Sequence, residues 1–261
     1  MLEVSGVTKT FGGIRALSGL ELSLEQGDLT GLIGPNGAGK TTALNVLSGI
    51  LRPSSGTIRF MGRDILSCSP EERSVRGISR TFQSIRLFDE MTVLQNVKVG
   101  AHVKWGASLL SVLLSLPQHK SAERRITEIA YDVLERTRMA DFARTLAGSL
   151  SFGDRRRVEI ARAMACDPKL LLLDEPAAGM NASEQRQLSD LILSLNQDSG
   201  LTLLLIEHHV PMVAQLCNKL VVLHKGETIA SGKTQDVLRD QNVIDIYLGK
   251  RNAGKRPAAS C

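Results

Sequence analysis

One segment of the sequence combines a glycine-rich loop with a lysine and two hydroxyl side chains. Residues 34–42 read GPNGAGKTT and match the pattern G-x-x-x-x-G-K-[ST]. Glycines let the backbone curl so that successive N–H groups point at phosphate oxygens, and a following helix adds the positive end of its dipole. The lysine adds a point charge, and the first threonine a hydroxyl for Mg²⁺. The segment therefore predicts a phosphate-binding loop formed by Gly34, Pro35, Asn36, Gly37, Ala38, Gly39, Lys40, Thr41 and Thr42.

A second chemical feature is a pair of carboxylates at the end of an apolar run. Four leucines in LLLLDE lead directly into Asp174 and Glu175. Burying a carboxylate costs free energy unless a positive group lies beside it. A Mg²⁺ ion held by Thr41 and nucleotide phosphates would be that partner for Asp174, and Glu175 is placed to polarise a water for attack on a γ-phosphate. Adjacent Asp and Glu are more often an exposed pair, but the leucines argue against it.

A third feature precedes the acidic strand, in the segment LSFGDRRRVEIARAMACDP at 150–168. Ser151 followed by Asp154 resembles a capping box. The N–H groups at the start of such a helix can bind an anion. The helix is continued by Val158, Ala161, Arg162 and Ala165.

The spacing of apolar residues predicts the elements that hold these groups. Short β-type runs fill residues 2–33, and a helix begins at Lys40 with an apolar stripe of Ala43, Leu44, Leu47 and Leu51. The runs LLLLD and LTLLLIE lack alternation, which is typical of strands buried on both faces of a parallel sheet. A hairpin is expected around Lys225 and Gly226.

Two amphipathic helices complete the pattern. One covers 121–137 with Ser121 as its cap, and the other covers the segment ASEQRQLSDLILSLNQ. Residues from about 90 to 150 show helical signals without a clear strand, which predicts a helical insertion. Strands that alternate with helices indicate the α/β fold class.

Composition and charge exclude several protein classes. The 261 residues are 43% hydrophobic and 23% charged, as in an ordinary globular protein. The net charge is +5, but Lys250, Arg251, Lys255 and Arg256 carry four of these charges in a tail, 250–261, that has no acidic residue. We therefore expect no nucleic-acid partner and a disordered tail, with weak attraction to anionic lipids as the alternative.

The cysteines and the apolar stretches exclude further classes of protein. Cys68, Cys166, Cys217 and Cys261 show no C-x-x-C spacing, which predicts neither a disulfide framework nor a zinc site and fits a reducing cytosol. The amino terminus lacks the pattern of a signal peptide. The stretch 105–118 is shorter than the roughly 20 residues that cross a bilayer. Its segment Leu109–Leu116 is either a helix packed on its own domain or a patch that docks on a membrane partner.

Together these motifs resemble those of ABC-type ATP-binding subunits. The matching features are GPNGAGKTT, Gln83 in RTFQ, LSFGD, LLLLDEP and His208 in LLIEHH, and the resemblance runs from Phe11 to about Gly249. The segments RTFQSIRLFDEMTVLQNV, DEPAAGMN and VIDIYLG look most like the ATPase subunits of bacterial high-affinity branched-chain amino acid importers. This implies a P-loop NTPase (RecA-like) core with an N-terminal antiparallel β region and an inserted α-helical subdomain.

The resemblance also implies boundaries and roles. Residues 1–249 would be one ABC ATPase domain, with 1–89 and 151–249 as the catalytic core and 90–150 as the helical subdomain. Phe11 would stack on adenine, Gln83 would sense Mg²⁺ and water while facing the membrane subunits, and His208 would contact the γ-phosphate. Ser151 and Gly153 would reach the ATP of a second subunit. Catalysis is assigned to Glu175, His208, Gln83 and Lys40, and Mg²⁺ binding to Thr41, Gln83 and Asp174.

Taken singly, several of these residues have an ordinary alternative. Phe11 could belong to the core, Gln83 could be a surface residue, and His208 or His209 could be a strand-end histidine. Four positions depart from the family pattern. Phe152 replaces the commonest glycine, Asp154 the usual glutamine, His209 a frequent acid and Asn181 a frequent aspartate. A negative charge at 154 is unfavourable near phosphate, and its capping role and the neighbouring Arg155 would offset this cost.

The implied function is an ATPase that powers an ABC importer for branched-chain or related amino acids, by ATP-driven dimerisation coupled to separate membrane subunits. Its cofactors would be ATP and Mg²⁺. Its partners would be a second ABC ATPase subunit, identical or related, two transmembrane permease subunits and, indirectly, a solute-binding protein. It would lie peripherally on the cytoplasmic face of the bacterial inner membrane. The alternatives are a non-transport ABC ATPase and a partner that binds ATP but hydrolyses it poorly. The retained residues Lys40, Thr41, Asp174, Glu175 and His208 favour an active ATPase.

Overall fold

A computed structural model describes residues 1–106 and 117–248 of the chain. The segment Leu109–Leu116 and the basic tail 250–261, both discussed above, lie outside these residues. Among the described residues, no helix combines the length and apolar character that crossing a bilayer requires.

Two β-sheets form the framework of the described chain. A four-stranded antiparallel sheet has the order β2-β1-β4-β5, with β1 at Leu2–Phe11, β2 at Ile14–Leu24, β4 at Ser55–Phe60 and β5 at Arg63–Asp64. A six-stranded sheet has the order β10-β9-β3-β8-β7-β6 and is parallel except for β10. Its strands are β3 at Leu29–Ile33, β6 at Ile78–Arg80, β7 at Leu170–Asp174, β8 at Thr202–Ile206, β9 at Lys219–His224 and β10 at Glu227–Lys233.

Helices connect and flank these strands. Short 3₁₀ turns cover Ala140–Phe142 and Ala147–Ser149. The α-helices of the described residues are α1 Lys40–Leu47, α2 Pro70–Arg76, α3 Val93–Trp105, α4 Pro117–Arg136, α5 Phe152–Met164, α6 Ala182–Gln197, α7 Val210–Leu216, α8 Thr234–Val237 and α9 Gln241–Leu248.

The uninterrupted leucine runs are explained by a sheet with two buried faces. All five residues of β7 and all five of β8 are buried. Leu171 and Leu173 belong to the core shared with α5 and α6, whereas Leu170 and Leu172 belong to the core shared with α1 and β1. The prediction of a buried parallel sheet is confirmed, and Asp174 is held where its strand ends.

The predicted hairpin is also present, because β9 and β10 pair in antiparallel fashion on either side of Lys225 and Gly226. Between β6 and β7 the described chain is mainly helical, and α3 packs against both α4 and α5. The architecture is therefore the predicted α/β arrangement, with an antiparallel sheet at the amino terminus and a helical region between strands.

Two details of the helix predictions were wrong. Ser121 is not a cap, because α4 already begins at Pro117 and contains this residue. Leu51 is not part of the stripe on α1, which ends at Leu47. Gly49 follows that end with a φ of +83°, a left-handed conformation that terminates helices.

Candidate functional site

The glycine-rich loop lies where the sequence predicted it, between β3 and α1. Gly39 precedes α1 with a φ of +102°, and a Cβ atom there would lie 2.5 Å from the Ala16 carbonyl oxygen. At Gly34 a Cβ atom would lie 2.1 Å from the carbonyl oxygen of Leu223. Only glycine fits these two positions, since the loop is pressed against neighbouring backbone.

Lys40 is folded back over this loop. The residue is buried, and its ammonium donates hydrogen bonds to the carbonyl oxygens of Gly34, at 2.7 Å, and Pro35, at 3.1 Å. Burial lowers the pKa of Lys40, while the carboxylates of Glu175 and Asp174 act in the opposite direction. The positive charge of the loop therefore lies within electrostatic reach of both acids.

Asp174 has a positive partner within the chain. Its carboxylate, 2% exposed, accepts a hydrogen bond of 2.8 Å from Arg80 Nη2. Arg80 also donates to Asn45 Oδ1 at 2.6 Å and to Ser48 Oγ at 3.2 Å, both on or next to α1. The sequence-based explanation gave this role to Mg²⁺ alone and missed Arg80, although the RTFQ segment contains it. The sequence signal was the arginine in RTFQ, but no strand was predicted at 78–80, so nothing placed Arg80 beside the acidic strand.

Three predicted catalytic residues meet immediately after β7. The amide Nε2 of Gln83 donates to Glu175 Oε2 at 3.2 Å, and His208 Nδ1 lies 3.9 Å from Glu175 Oε1. Glu175 has a φ of +45°, which is uncommon for a residue with a side chain. Such local strain persists only where the surrounding structure enforces it.

Glu207 was not recognised from the sequence. It follows β8, is 1% exposed, and accepts hydrogen bonds from the N–H groups of Ala177 at 3.1 Å and His208 at 3.3 Å. Burial raises the pKa of the Glu207 carboxyl, the nearby Glu175 charge adds to the rise, and these two N–H groups oppose it. Glu207 thus joins the loop after Glu175 to the backbone of His208.

Ser151 caps α5, as its spacing from Asp154 predicted. Its Oγ accepts from the Asp154 N–H at 3.2 Å and donates to Asp154 Oδ2 at 2.6 Å. The expected neutralising role of Arg155 was wrong: Arg157 pairs with Asp154 at 3.0 Å, and Arg155 pairs with Asp89 at 2.6 Å. A helix repeat explains this, because positions three residues apart face each other and adjacent ones do not.

Gly153 and Asn181 lie at the junction of α5 and α6. Gly153 is buried, and a Cβ atom there would lie 3.1 Å from Glu184 Cγ. The side chain of Asn181 caps α6 by accepting from the N–H groups of Ser183 and Glu184. The departure at 181 thus preserves a helix start.

The remaining predicted residues lie near the surface or on the loop. Phe11 ends β1 and is 44% exposed, with Lys9 Nζ 5.0 Å from the ring centroid. The core alternative for Phe11 is therefore wrong. Asn36, Gly37 and Thr41 are exposed, Thr42 is half-buried, and Ala38 is buried.

Comparison with known proteins agrees with this arrangement. Residues 17–178 match the family model described as ABC transporter, which covers the loop, Gln83, Ser151 and both acids. The chain belongs to the ABC transporter family. The similarity to ABC ATPases confirms the predicted P-loop NTPase fold class. It also confirms that this subunit binds ATP and hydrolyses it to power transport.

Relatives of this ABC ATPase match along nearly its full length. The high-affinity branched-chain amino acid transport ATP-binding protein BraF of Pseudomonas aeruginosa is 40% identical over 250 residues, which are 96% of this chain and 98% of the relative. The solved ADP conformation of an ATP-binding cassette of an ABC transporter is 35% identical, with a TM-score of 0.83 and 96% and 99% of the two chains covered. A dimeric bacterial ABC transporter cassette is 25% identical, with a TM-score of 0.75 and coverage of 90% and 99%.

Proposed function

We propose that this ABC ATPase powers the import of branched-chain or related amino acids, with Glu175 as the general base for ATP hydrolysis. The observation that carries the catalytic assignment is the convergence of Gln83 and His208 on the Glu175 carboxylate, beside the loop that carries Lys40. A general base must lie where it can reach the attacking water. The amide of Gln83 and the imidazole of His208 flank the Glu175 carboxylate and can orient this carboxylate.

The loop would bind the phosphates of ATP. Its backbone N–H groups lie just before α1 or in its first turn, where the helix dipole favours anions. They belong to Asn36, Gly37, Gly39, Lys40, Thr41 and Thr42. Phosphate oxygens would replace the two carbonyl oxygens that the Lys40 ammonium now contacts. The exposed ring of Phe11 offers a flat apolar surface for the adenine base.

The residues of this region fit a magnesium ion. Thr41, Gln83 and Asp174 offer hydroxyl, amide and carboxylate oxygens, the ligand atoms that Mg²⁺ prefers. Arg80 engages Asp174 Oδ2, and a carboxylate has a second oxygen to offer. When bound, the ion would neutralise phosphate charge and hold the phosphates in place.

A second ABC ATPase subunit, identical or related, would complete each nucleotide site. Ser151 is exposed at the amino end of α5 and would reach the γ-phosphate bound by the partner, together with the backbone of Gly153. A relative of the same fold is a dimer, which supports this assembly. ATP would join the two chains and hydrolysis would separate them.

Membrane partners are part of the same proposal. The name of BraF, a transport ATP-binding protein, supports a role in transport. The partners would be two permease subunits and, indirectly, a solute-binding protein, and the chain would lie peripherally on the cytoplasmic face of the bacterial inner membrane. The region around Gln83 would transmit motion to the permeases.

The proposed ABC ATPase domain has two parts, with 1–89 and 151–249 as the core and 90–150 as the helical subdomain.

Reconstitution tests the solute. The chain is placed in proteoliposomes with its permease and solute-binding subunits, and uptake of labelled leucine, isoleucine and valine is measured with and without MgATP. Uptake that requires MgATP and is lost in Lys40→Ala supports the proposal. ATP turnover without uptake of leucine, isoleucine or valine would overturn the assignment of the solute.

Turnover by the purified chain tests the general base. Glu175→Gln keeps the side-chain shape and removes the base, so kcat should fall by roughly 10²–10⁴-fold while ATP stays bound and the dimer accumulates. The matched control is Glu227→Gln, at an exposed residue that begins β10. Normal hydrolysis by Glu175→Gln contradicts the assignment.

A further inference from the structure

A buried ion pair joins α5 to the segment that carries Gln83. Arg156 and Glu159 lie three residues apart on α5, and each side chain is 1% exposed. Arg156 Nη1 donates to Glu159 Oε2 at 2.6 Å. Neither residue is among the catalytic and binding residues proposed above.

The pair binds backbone groups of the neighbouring segment. Arg156 Nη1 donates to the Phe82 carbonyl oxygen at 2.9 Å, and Nη2 donates to the Gln83 carbonyl oxygen at 3.0 Å. Glu159 Oε1 accepts from the N–H group of Phe82 at 3.2 Å. The planar guanidinium can bridge two carbonyls and a carboxylate at once, which the single nitrogen of a lysine cannot do in the same geometry.

Stability alone gives no reason for charges at these two positions. Burial raises the pKa of the Glu159 carboxyl, although Arg156 and the Phe82 N–H oppose the rise. Replacing a buried ion pair by apolar residues of similar volume is often neutral or stabilising. What the pair adds is a fixed position for two peptide groups.

We propose that Arg156 and Glu159 are positioning residues that hold Gln83 in register with α5. The side chain of Gln83 contacts Glu175, and α5 begins at Ser151. A displacement of α5 would therefore move the Gln83 backbone and alter the contact at Glu175. This inference rests on the proposed roles of Gln83 and Glu175, and it links the two nucleotide sites that one chain serves.

A matched control exists in the same chain. Arg73 is also 1% exposed and also donates to backbone carbonyls, but none of these belongs to residues 82 and 83. Its acceptors are the carbonyl oxygens of Val46 at 2.7 Å, Leu47 at 2.8 Å, Ile65 at 2.8 Å and Cys68 at 3.3 Å. Arg73→Lys therefore imposes the same chemical change on a buried arginine outside the proposed link.

Three full-length variants test the proposal: Arg156→Lys, the double variant Arg156→Met with Glu159→Leu, and Arg73→Lys. The double variant removes both charges of the pair, so neither Arg156 nor Glu159 is left as an unpaired buried charge, and the contacts with residues 82 and 83 are lost. Arg162 loses its electrostatic interaction with Glu159, and thermal unfolding measures that cost. Each is measured for thermal unfolding, for amide hydrogen exchange in a peptide covering 81–84, and for kcat and KM with MgATP.

We expect faster exchange at 81–84 and a kcat lowered by roughly 10–100-fold in both variants of the pair, with KM for ATP within about twofold of the unaltered chain. Arg73→Lys should lower stability without either effect. Unchanged exchange, or faster exchange with unchanged kcat, in the double variant would overturn the proposal. If the unaltered chain fails to hydrolyse ATP, the proposed function fails, and exchange alone decides whether the pair holds Gln83.

Discussion

Replacing Arg80 by methionine should destabilise the chain through the carboxylate that it leaves behind. Arg80 and Asp174 are 8% and 2% exposed, so neither charge is well solvated. Removing one partner of a buried pair costs about 3–5 kcal/mol, because the other charge remains buried. Arg80→Met should therefore lose much of a free energy of unfolding that is about 5–15 kcal/mol in typical domains.

The corresponding change in Tm is roughly 6–20 °C, at about 2–4 °C for each kcal/mol in a chain of this size. A double-mutant cycle with Asp174→Asn separates the pair from the hydrogen bonds that Arg80 makes elsewhere. Because the double variant holds neither charge, the cycle should show a coupling energy of at least about 1 kcal/mol.

Thermal and urea unfolding without nucleotide measure these quantities. The control is Lys104→Met, which removes a partner of Asp167 from a pair at 2.9 Å whose side chains are 21% and 73% exposed. That change should cost no more than about 1 kcal/mol, as is usual for surface pairs. Equal losses in Arg80→Met and Lys104→Met, or a coupling energy near zero, would refute the role given to Arg80.

Two further predictions follow from the site. Burial raises the pKa of the Glu207 carboxyl above its ordinary value of 4.5, so the folded chain binds the carboxyl proton more tightly than the unfolded chain does. The stability that this proton contributes is present below pH 4.5 and is lost as the pH rises through the pKa of the folded chain. Glu207→Gln has no titratable proton and keeps an acceptor for the Ala177 N–H. The Tm of this variant minus the Tm of the unaltered chain should therefore increase between pH 4 and pH 8. A difference that stays constant argues against a buried, protonatable Glu207. Gly39→Ala places a Cβ atom 2.5 Å from the Ala16 carbonyl oxygen, whereas a Cβ atom at Gly37 meets nothing within 4 Å. Calorimetric titration with ATP should show a loss of affinity of at least about tenfold for Gly39→Ala and a smaller loss for Gly37→Ala, and equal losses would contradict the close approach.

The parts of the fold that the sequence predicted are those set by local pattern. The loop needs glycines at fixed spacing, and the two leucine-rich strands need apolar side chains on both faces, so each can be recognised without knowledge of distant residues. The hairpin at Lys225 and Gly226 is likewise encoded by adjacent residues.

The parts that were missed depend on contacts between distant segments. Arg80 and Asp174 are 94 residues apart and meet because β6 lies beside β7. The links from Arg156 to Phe82 and from Glu207 to Ala177 have the same origin. At 151–157 the error was one of helix geometry, since Arg157 and not Arg155 faces Asp154.

The position of Lys40 has a consequence for selectivity. Its ammonium already has two oxygen acceptors from its own loop, so a ligand gains only the difference between those carbonyls and the oxygens that it brings. Neutral or weakly charged oxygens offer little advantage over a peptide carbonyl, whereas a polyanion offers a large one. The loop thus favours polyanions over uncharged ligands, independently of any contact between Phe11 and the adenine ring.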